Sequence, residues 1–416
     1  MLAACDADDD PESASTASTA STGTAATATS ASPSAASFDP QDWESVRAQF
    51  NLDPALAQFA AFVLSPHTQV LDEAIAGYRD RLGTDTEQVL LEATDLEQGV
   101  RVAAGAYAGG QPGQYALTDS TTMGIATMYG GLRLLPGDEV LTTTHDFYST
   151  QEALRLLTER TGARLTQVSL YDDPAAATVD EMVGRLVAGV TPRTKVVAIT
   201  WVHSGTGVRV PVAEACAALA GLSRVPRDQY VVCVDGVHGF SAVDVDLPDL
   251  GCDFLATGTH KWLFGPRGTG ILWGRDWAPL TELIPSFTPD EGSGRLTAGG
   301  YHSFEHRWAL ADGFDFMGRV GRDRAVARTV EQATQLKEGL AGTRVTLVTP
   351  TDPAVSAGIV CFDVPGVLPG NAVLSLREQG VVASATPYRT SYTRLGPSIV
   401  TSPEQVDAAV AAVSSL

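Results

Sequence analysis

Between Asp42 and Leu82 apolar side chains recur at three- and four-residue spacings, first Trp43, Val46 and Phe50, then Val70, Leu71, Ile75 and Tyr78, which predicts helix throughout. A different pattern follows. Tyr115, Ala116 and Leu117 form a short extended run that leads through Thr118 and Asp119 into a predicted helix carrying Met123, Ala126, Leu132 and Leu134. A turn and a strand are expected across Leu135 to Thr143, and a helix from Glu152 to Thr161. Thr194 to Thr200, apolar from Val196 to Ile199, and Tyr230 to Val234 show no alternation, as in strands buried on both faces of a parallel sheet. Such strands, separated by helical stretches of about 10 to 20 residues, imply crossover connections and an α/β fold with a mainly parallel sheet. The last hundred residues read as a small α+β domain. Its strands are expected at Val345 to Val348, Gly358 to Val364 and Val381 to Ala383, with a closing helix from Pro403 to Val413.

Composition divides the chain of 416 residues further. Residues 1–37 are poor in large apolar side chains and rich in Ala, Ser and Thr, so a disordered leader is expected. The predicted plan continues with a helical segment over 38–75 packing with the small domain, a large domain over 76–300 and the small domain over 301–416. A net charge of −21 without a basic stripe argues against nucleic acid as a partner. No apolar run reaches the roughly eighteen residues needed to span a bilayer. Leu2-Ala3-Ala4-Cys5 resembles a bacterial lipobox, although Met1 leaves no room for the charged and apolar regions that should precede it. Two readings stay open: a lipoprotein tethered outside the cytoplasmic membrane through Cys5, with its true start upstream, or a cytoplasmic enzyme with a disordered leader. Cys216, Cys233, Cys252 and Cys361 lie in apolar runs without metal-ligand spacing and are expected to fill the core.

The chemistry centres on Lys261. It closes an apolar run, follows His260 and precedes Gly265-Pro266-Arg267-Gly268-Thr269-Gly270, an unusual setting for a strongly hydrated ammonium. Desolvation and nearby positive charge lower a lysine's pKa and make it nucleophilic toward a carbonyl, as in the lysines that hold pyridoxal phosphate. That cofactor needs a carboxylate against its ring nitrogen, and Asp235, at the expected carboxyl end of a buried strand, is the candidate. Ser120, Thr121 and Thr122 stand at a predicted helix N-terminus, either as a plain cap or as an anion site.

With these residues in place, the stretch from Val231 to Trp273 resembles the cofactor-lysine region of the class V aminotransferase-fold enzymes. It is most like their isopenicillin N epimerase-like branch, which is related to the cysteine desulfurases and selenocysteine lyases. The similarity extends from about Phe50 to Leu416. It implies a fold-type I, homodimeric enzyme with pyridoxal 5'-phosphate in Schiff-base linkage to Lys261 and Asp235 at the ring nitrogen. It further implies that His145 stacks on the ring and that Ser120, Thr121, Thr122, Thr259 and His260 hold the phosphate. His238 would contact the phenolic oxygen, and Ser204 stands where desulfurases usually have Asn. Thr297 and Gly299 would reach across the dimer interface. Arg394 takes the place of the arginine that binds an amino-acid carboxylate, with Arg389 as a rival.

The resemblance selects the cofactor and not the outcome. Epimerisation, loss of a β or γ substituent and transamination all begin from the same amino-acid adduct. Persulfide-forming desulfurases need a mobile cysteine shortly before the carboxylate-binding arginine, and Ala383 to Tyr392 contains none, which disfavours that branch. From other classes, a binding protein that has kept the fold without turnover, and a metal hydrolase built on His302 and His306, remain as alternatives. The latter pair has no evident third ligand, and no metal is expected.

Overall fold

The computed structural model describes residues 38–286 and 292–416. Cys5 and the expected leader over 1–37 therefore lie outside the described residues. Phe38–Leu416 forms one compact unit. In chain order, α1 (Trp43–Arg47), β1 (Ala57–Gln58), α2 (Gln69–Thr84) and α3 (Thr86–Ala108) precede the main sheet. The sheet region runs through β2 (Tyr115–Thr118), α4 (Thr121–Gly131), β3 (Glu139–Thr143), α5 (Tyr148–Thr161), β4 (Arg164–Val168), α6 (Val179–Gly189), β5 (Thr194–Thr200), α7 (Val212–Ala220), β6 (Val231–Asp235), β7 (Phe254–Gly258) and β8 (Gly270–Gly274). Then follow α8 (Phe304–Val320), α9 (Arg322–Ala341), β9 (Thr346–Leu347), β10 (Val360–Asp363), α10 (Pro369–Glu378), β11 (Val381–Val382), β12 (Ser384–Ala385), β13 (Thr393–Leu395) and α11 (Pro403–Ser414).

The seven main strands lie in the order β2-β8-β7-β6-β5-β3-β4. β7, β6, β5, β3 and β4 are parallel, and β8 runs antiparallel to both β7 and β2. Alternation along β5 shows why its sequence has no polar face. Val197 and Ile199 enter one core while Val196 and Ala198 enter the core on the opposite side of the sheet. The C-terminal part carries a four-stranded antiparallel sheet, β12-β13-β10-β9, packed with α9 and α11 around Phe362, Leu336 and Val406.

Continuous helix from Asp42 to Leu82 is not what forms. α1 ends at Arg47, the chain passes through β1, which pairs in parallel with β11, and helix resumes only at Gln69, capped by the Thr68 hydroxyl. Pro54 and Pro66 lack the N–H that a helix interior needs, so the apolar period there is met by an extended segment lying on the C-terminal part. This departure brings Phe62 and Val63 to the functional site.

Candidate active site

The carboxyl ends of β5, β6 and β7, together with the N-terminus of α4, surround a chamber of about 300 Å³. This is where parallel sheets place ligands, because neighbouring connections diverge there. The chain has three lysines, Lys195, Lys261 and Lys337. Lys195 lies at the amino end of β5, away from the chamber. Lys337 is buried, with its ammonium donating to the Pro350 and Thr351 carbonyls and to Ser356 Oγ at 2.9–3.1 Å. Lys261 lines the chamber, three residues past β7, and its Nζ has only long contacts, 3.3 and 3.4 Å, to the carbonyls of Phe62 and Val63. Burial, and secondarily the Arg394 charge, lower its pKa to about 8, so a useful fraction of neutral amine exists near neutrality.

Asp235, the last residue of β6, is 1% exposed. One carboxyl oxygen accepts from Thr150 Oγ1 at 3.0 Å and the other from the Val237 N–H at 3.1 Å. These bonds orient it, but burial dominates and pushes its pKa up to about 6 in the absence of a cationic partner. A buried carboxyl of this kind suits a protonated ring nitrogen, whose charge would hold it ionised. The loops after β6 and β7 also contain the non-glycine residues with left-handed backbone among those described, Ser241 at φ 62° and Phe264 at φ 58°. For a bulky residue such as Phe264 this costs on the order of 1–3 kcal/mol, a strain typical of loops whose shape serves a site.

His145 follows β3 and lies flat on Tyr171, with ring centroids 4.0 Å apart and planes at 14°. Its Nε2 accepts from the Leu170 N–H at 3.2 Å, which assigns the proton to Nδ1. Burial lowers its pKa to about 4, so the ring is neutral, and its free surface faces the chamber. The adjacent Asp146 was not apparent from the sequence. It is buried and accepts from Thr142 and Thr143 and from the N–H and hydroxyl of Thr200, tying the end of β3 to the end of β5 beside His145 in the chain. Three threonines at neighbouring strand ends were the available signal.

Ser120 caps α4 through Met123 N, and Ser120, Thr121 and Thr122, at the N-terminus of that helix, line the chamber. Thr121 Oγ1, His260 Nδ1, His238 Nδ1 and Arg394 Nε are buried with no hydrogen-bond partner. Buried polar atoms are rarely left so, and these converge on one chamber, as expected if a polar, anionic group completes them. Gly258 keeps this cradle open, since a Cβ there would come within 2.7 Å of His260 Cε1 and 2.9 Å of Thr121 Oγ1. The residues present therefore fit a phosphorylated aromatic cofactor, with Ser120, Thr121, Thr122 and His260 at its anion and Asp235 and His145 about its ring.

Opposite the strand ends, Phe62, Val63, Pro387, Tyr388 and Arg394 close the chamber. Arg394 donates to the carbonyls of Ser204 and Ala385, both at 3.0 Å, and lies 5.2 Å from the centre of the Phe62 ring. Ser204 Oγ is 2.6 Å from the hydroxyl of Tyr388, a residue that sequence reasoning missed. Arg389, the rival arginine, is exposed and lines a separate, neighbouring cavity. Thr259 is fully buried with its hydroxyl 2.5 Å from that of Thr269, and does not line the chamber. Thr297 is also elsewhere: its hydroxyl accepts from Leu117 N and donates to the Ser293 carbonyl, and with Gly299 it borders a cavity near Arg307. Cys216, Cys233, Cys252 and Cys361 are buried free thiols, none of them in the chamber.

The aminotransferase class-V family model matches residues 92–391. Isopenicillin N epimerase of Streptomyces clavuligerus is 28% identical over 409 residues, covering 90% of this chain and 98% of the relative. A probable cysteine desulfurase of Xylella fastidiosa (strain 9a5c) is 27% identical over 335 residues, 74% of this chain and 77% of the relative. Among solved structures, a mutant of C-DES with glycine covalently linked to the PLP cofactor superposes with a TM-score of 0.80 at 20% identity, over 88% of this chain and 98% of that one. The cystine C–S lyase C-DES in complex with its product, cysteine persulfide, gives 0.78, also at 20% identity, over 86% of this chain and 97% of that one. The fold is thus the fold-type I architecture of these PLP-dependent proteins.

Proposed function

The chain belongs to the aminotransferase class-V family, and from that membership we propose that it is an enzyme acting at Cα or Cβ of an amino acid, by epimerisation or by elimination with direct release of product. Its cofactor is pyridoxal 5'-phosphate. When bound, the cofactor supplies an electron sink that weakens the bonds around Cα. Lys261 carries the proposal: of the three lysines it alone lines the chamber, and its amine is held by contacts that are easily given up. In this reading Lys261 would be the residue that holds the cofactor, and its amine would serve as the base for the Cα proton. Asp235 would hold the proton on the ring nitrogen, and His145, neutral and fixed by Tyr171 and Leu170, would support the ring from its side of the chamber. Arg394 clamps the substrate carboxylate, and its dry setting beside Phe62 strengthens that contact.

Persulfide formation on the protein is disfavoured, because no cysteine among the described residues lines the chamber. The test is to incubate cofactor-loaded protein with each L-amino acid in D₂O and follow Cα deuterium and chirality by mass spectrometry and chiral chromatography. Deuterium incorporation with inversion identifies an epimerase, and release of an α-keto acid with loss of the β substituent identifies a lyase. A cofactor-loaded protein that exchanges no Cα proton from any amino acid overturns the reading.

A further inference from the structure

A second cavity of about 610 Å³ adjoins the chamber, and both are lined by His145 and Tyr388. Its other walls include Tyr148, Tyr171, Tyr392, Gln151, Gln167 and Arg389. The chamber itself, at about 300 Å³, is at the low end for a small-molecule site, and the cofactor alone would occupy much of it. A substrate side chain of any length must leave it, and the wall shared by the two cavities is one direction in which there is room.

The charges around the second cavity are mostly cancelled. Asp172 is held by both terminal nitrogens of Arg185 at 2.7–2.8 Å. Asp146 is buried under its threonine donors, and burial keeps His145 and His203 neutral. Arg389 is different: it is exposed, and it makes no hydrogen bond or ion pair with any described residue. A chain with a net charge of −21 repels anions at long range, so an unpaired guanidinium at the mouth of a cavity is a local exception to the field around it. The lining beside it is phenolic and carboxamide and adds no charge, and the Tyr148 hydroxyl and one N–H each of Gln151 and Gln167 are already taken by protein acceptors.

We propose that this second cavity is the side-chain subsite, and that Arg389 selects amino acids whose side chain ends in an oxyanion, a carboxylate or a phosphate ester. The proposal rests on the reading that an amino acid binds over the cofactor in the chamber. Tyr388 then stands where the side chain passes from one space to the other. Its hydroxyl is held by Ser204 and its ring by Phe147 and Tyr148, and the Tyr148 hydroxyl donates to the Pro387 carbonyl, so the passage is walled by aromatic rings.

The test is binding to the cofactor-loaded protein, read both by calorimetry and by the change in cofactor absorbance. L-Glutamate and L-2-aminoadipate are compared with L-norvaline and L-norleucine, with O-phospho-L-homoserine as the phosphate arm. One of the anionic ligands is expected to bind about tenfold or more tighter than its uncharged counterpart, as for a single charge-assisted contact, and Arg389→Gln should erase that preference without changing cofactor occupancy. Preference for the carboxylates or for the phosphate ester identifies which oxyanion the site takes. Equal binding of charged and uncharged ligands, no binding of any, or a preference that survives Arg389→Gln overturns the proposal. Loss of the reading beneath it looks different: no amino acid, charged or uncharged, would then change the absorbance of the bound cofactor, whereas failure of the proposal alone leaves amino-acid binding intact and removes only the preference.

Discussion

The strand ends beneath the chamber present buried, oriented polar groups: Asp235 with two donors, His145 fixed by Tyr171 and Leu170, and the threonine cup above α4. The opposite side is made by the N-terminal loop and the β12–β13 connection, where Phe62, Val63, Pro387 and Tyr388 contribute mainly surface and Arg394 contributes one charge. Groups on the first side rest on a seven-stranded sheet that cannot shift one strand without the others. Those on the second rest on two- and three-residue strands. Chemistry common to many substrates is thus placed where the fold is stiff, and discrimination where it is adaptable.

Substitutions on the two sides should separate these roles. Lys261→Ala is expected to have the largest effect, lowering turnover of every amino acid by about 10³-fold or more, as measured by initial rates with added cofactor. Asp235→Asn should follow, with a loss of about 10²-fold that is again uniform across substrates. On the other side, Arg394→Gln should raise KM by roughly ten- to a hundredfold, the worth of a charge-assisted contact, with a smaller change in kcat. Tyr388→Phe should change rates less than about tenfold, but unequally among amino acids of different side-chain length. If Tyr388→Phe lowered all substrates as uniformly as Asp235→Asn does, the division of labour between the two sides would be wrong.

Asp235 also gives a pH signature in the cofactor-free protein. Its carboxyl titrates at about 6 when folded, against roughly 3.9 when unfolded, so the folded state holds the proton more tightly. The resulting stability, on the order of 3 kcal/mol, is complete below about pH 4 and is lost as the pH rises through 6. Urea midpoints of the cofactor-free protein should fall across that window. In Asp235→Asn this component of the fall should be absent, and in wild-type protein loaded with cofactor it should be reduced.

Much of the sheet side could be read in the sequence because its signals are local. An unbroken apolar run such as Val196 to Ile199 points to a strand buried on both faces, and the residue that ends such a run is placed at the sheet's carboxyl edge. Asp235 and Lys261 were legible for that reason. Tyr388 and Asp146 were not: each acts through partners far along the chain or on a neighbouring strand, Ser204 for the first and Thr200 for the second. The same holds for Thr259, whose place beside Lys261 suggested the phosphate cup, while its hydroxyl is taken by Thr269 ten residues on. In the N-terminal segment the apolar period continues across Pro54 and Pro66, and these two residues break the helix that the period alone implies.

The most direct test of the role given to Lys261 is borohydride reduction of the cofactor-loaded protein followed by peptide mass mapping. The added mass of the reduced cofactor is expected on the peptide containing Lys261, with Lys195 and Lys337 unmodified. Label on either of those two lysines, or no stable label on any peptide, would contradict it.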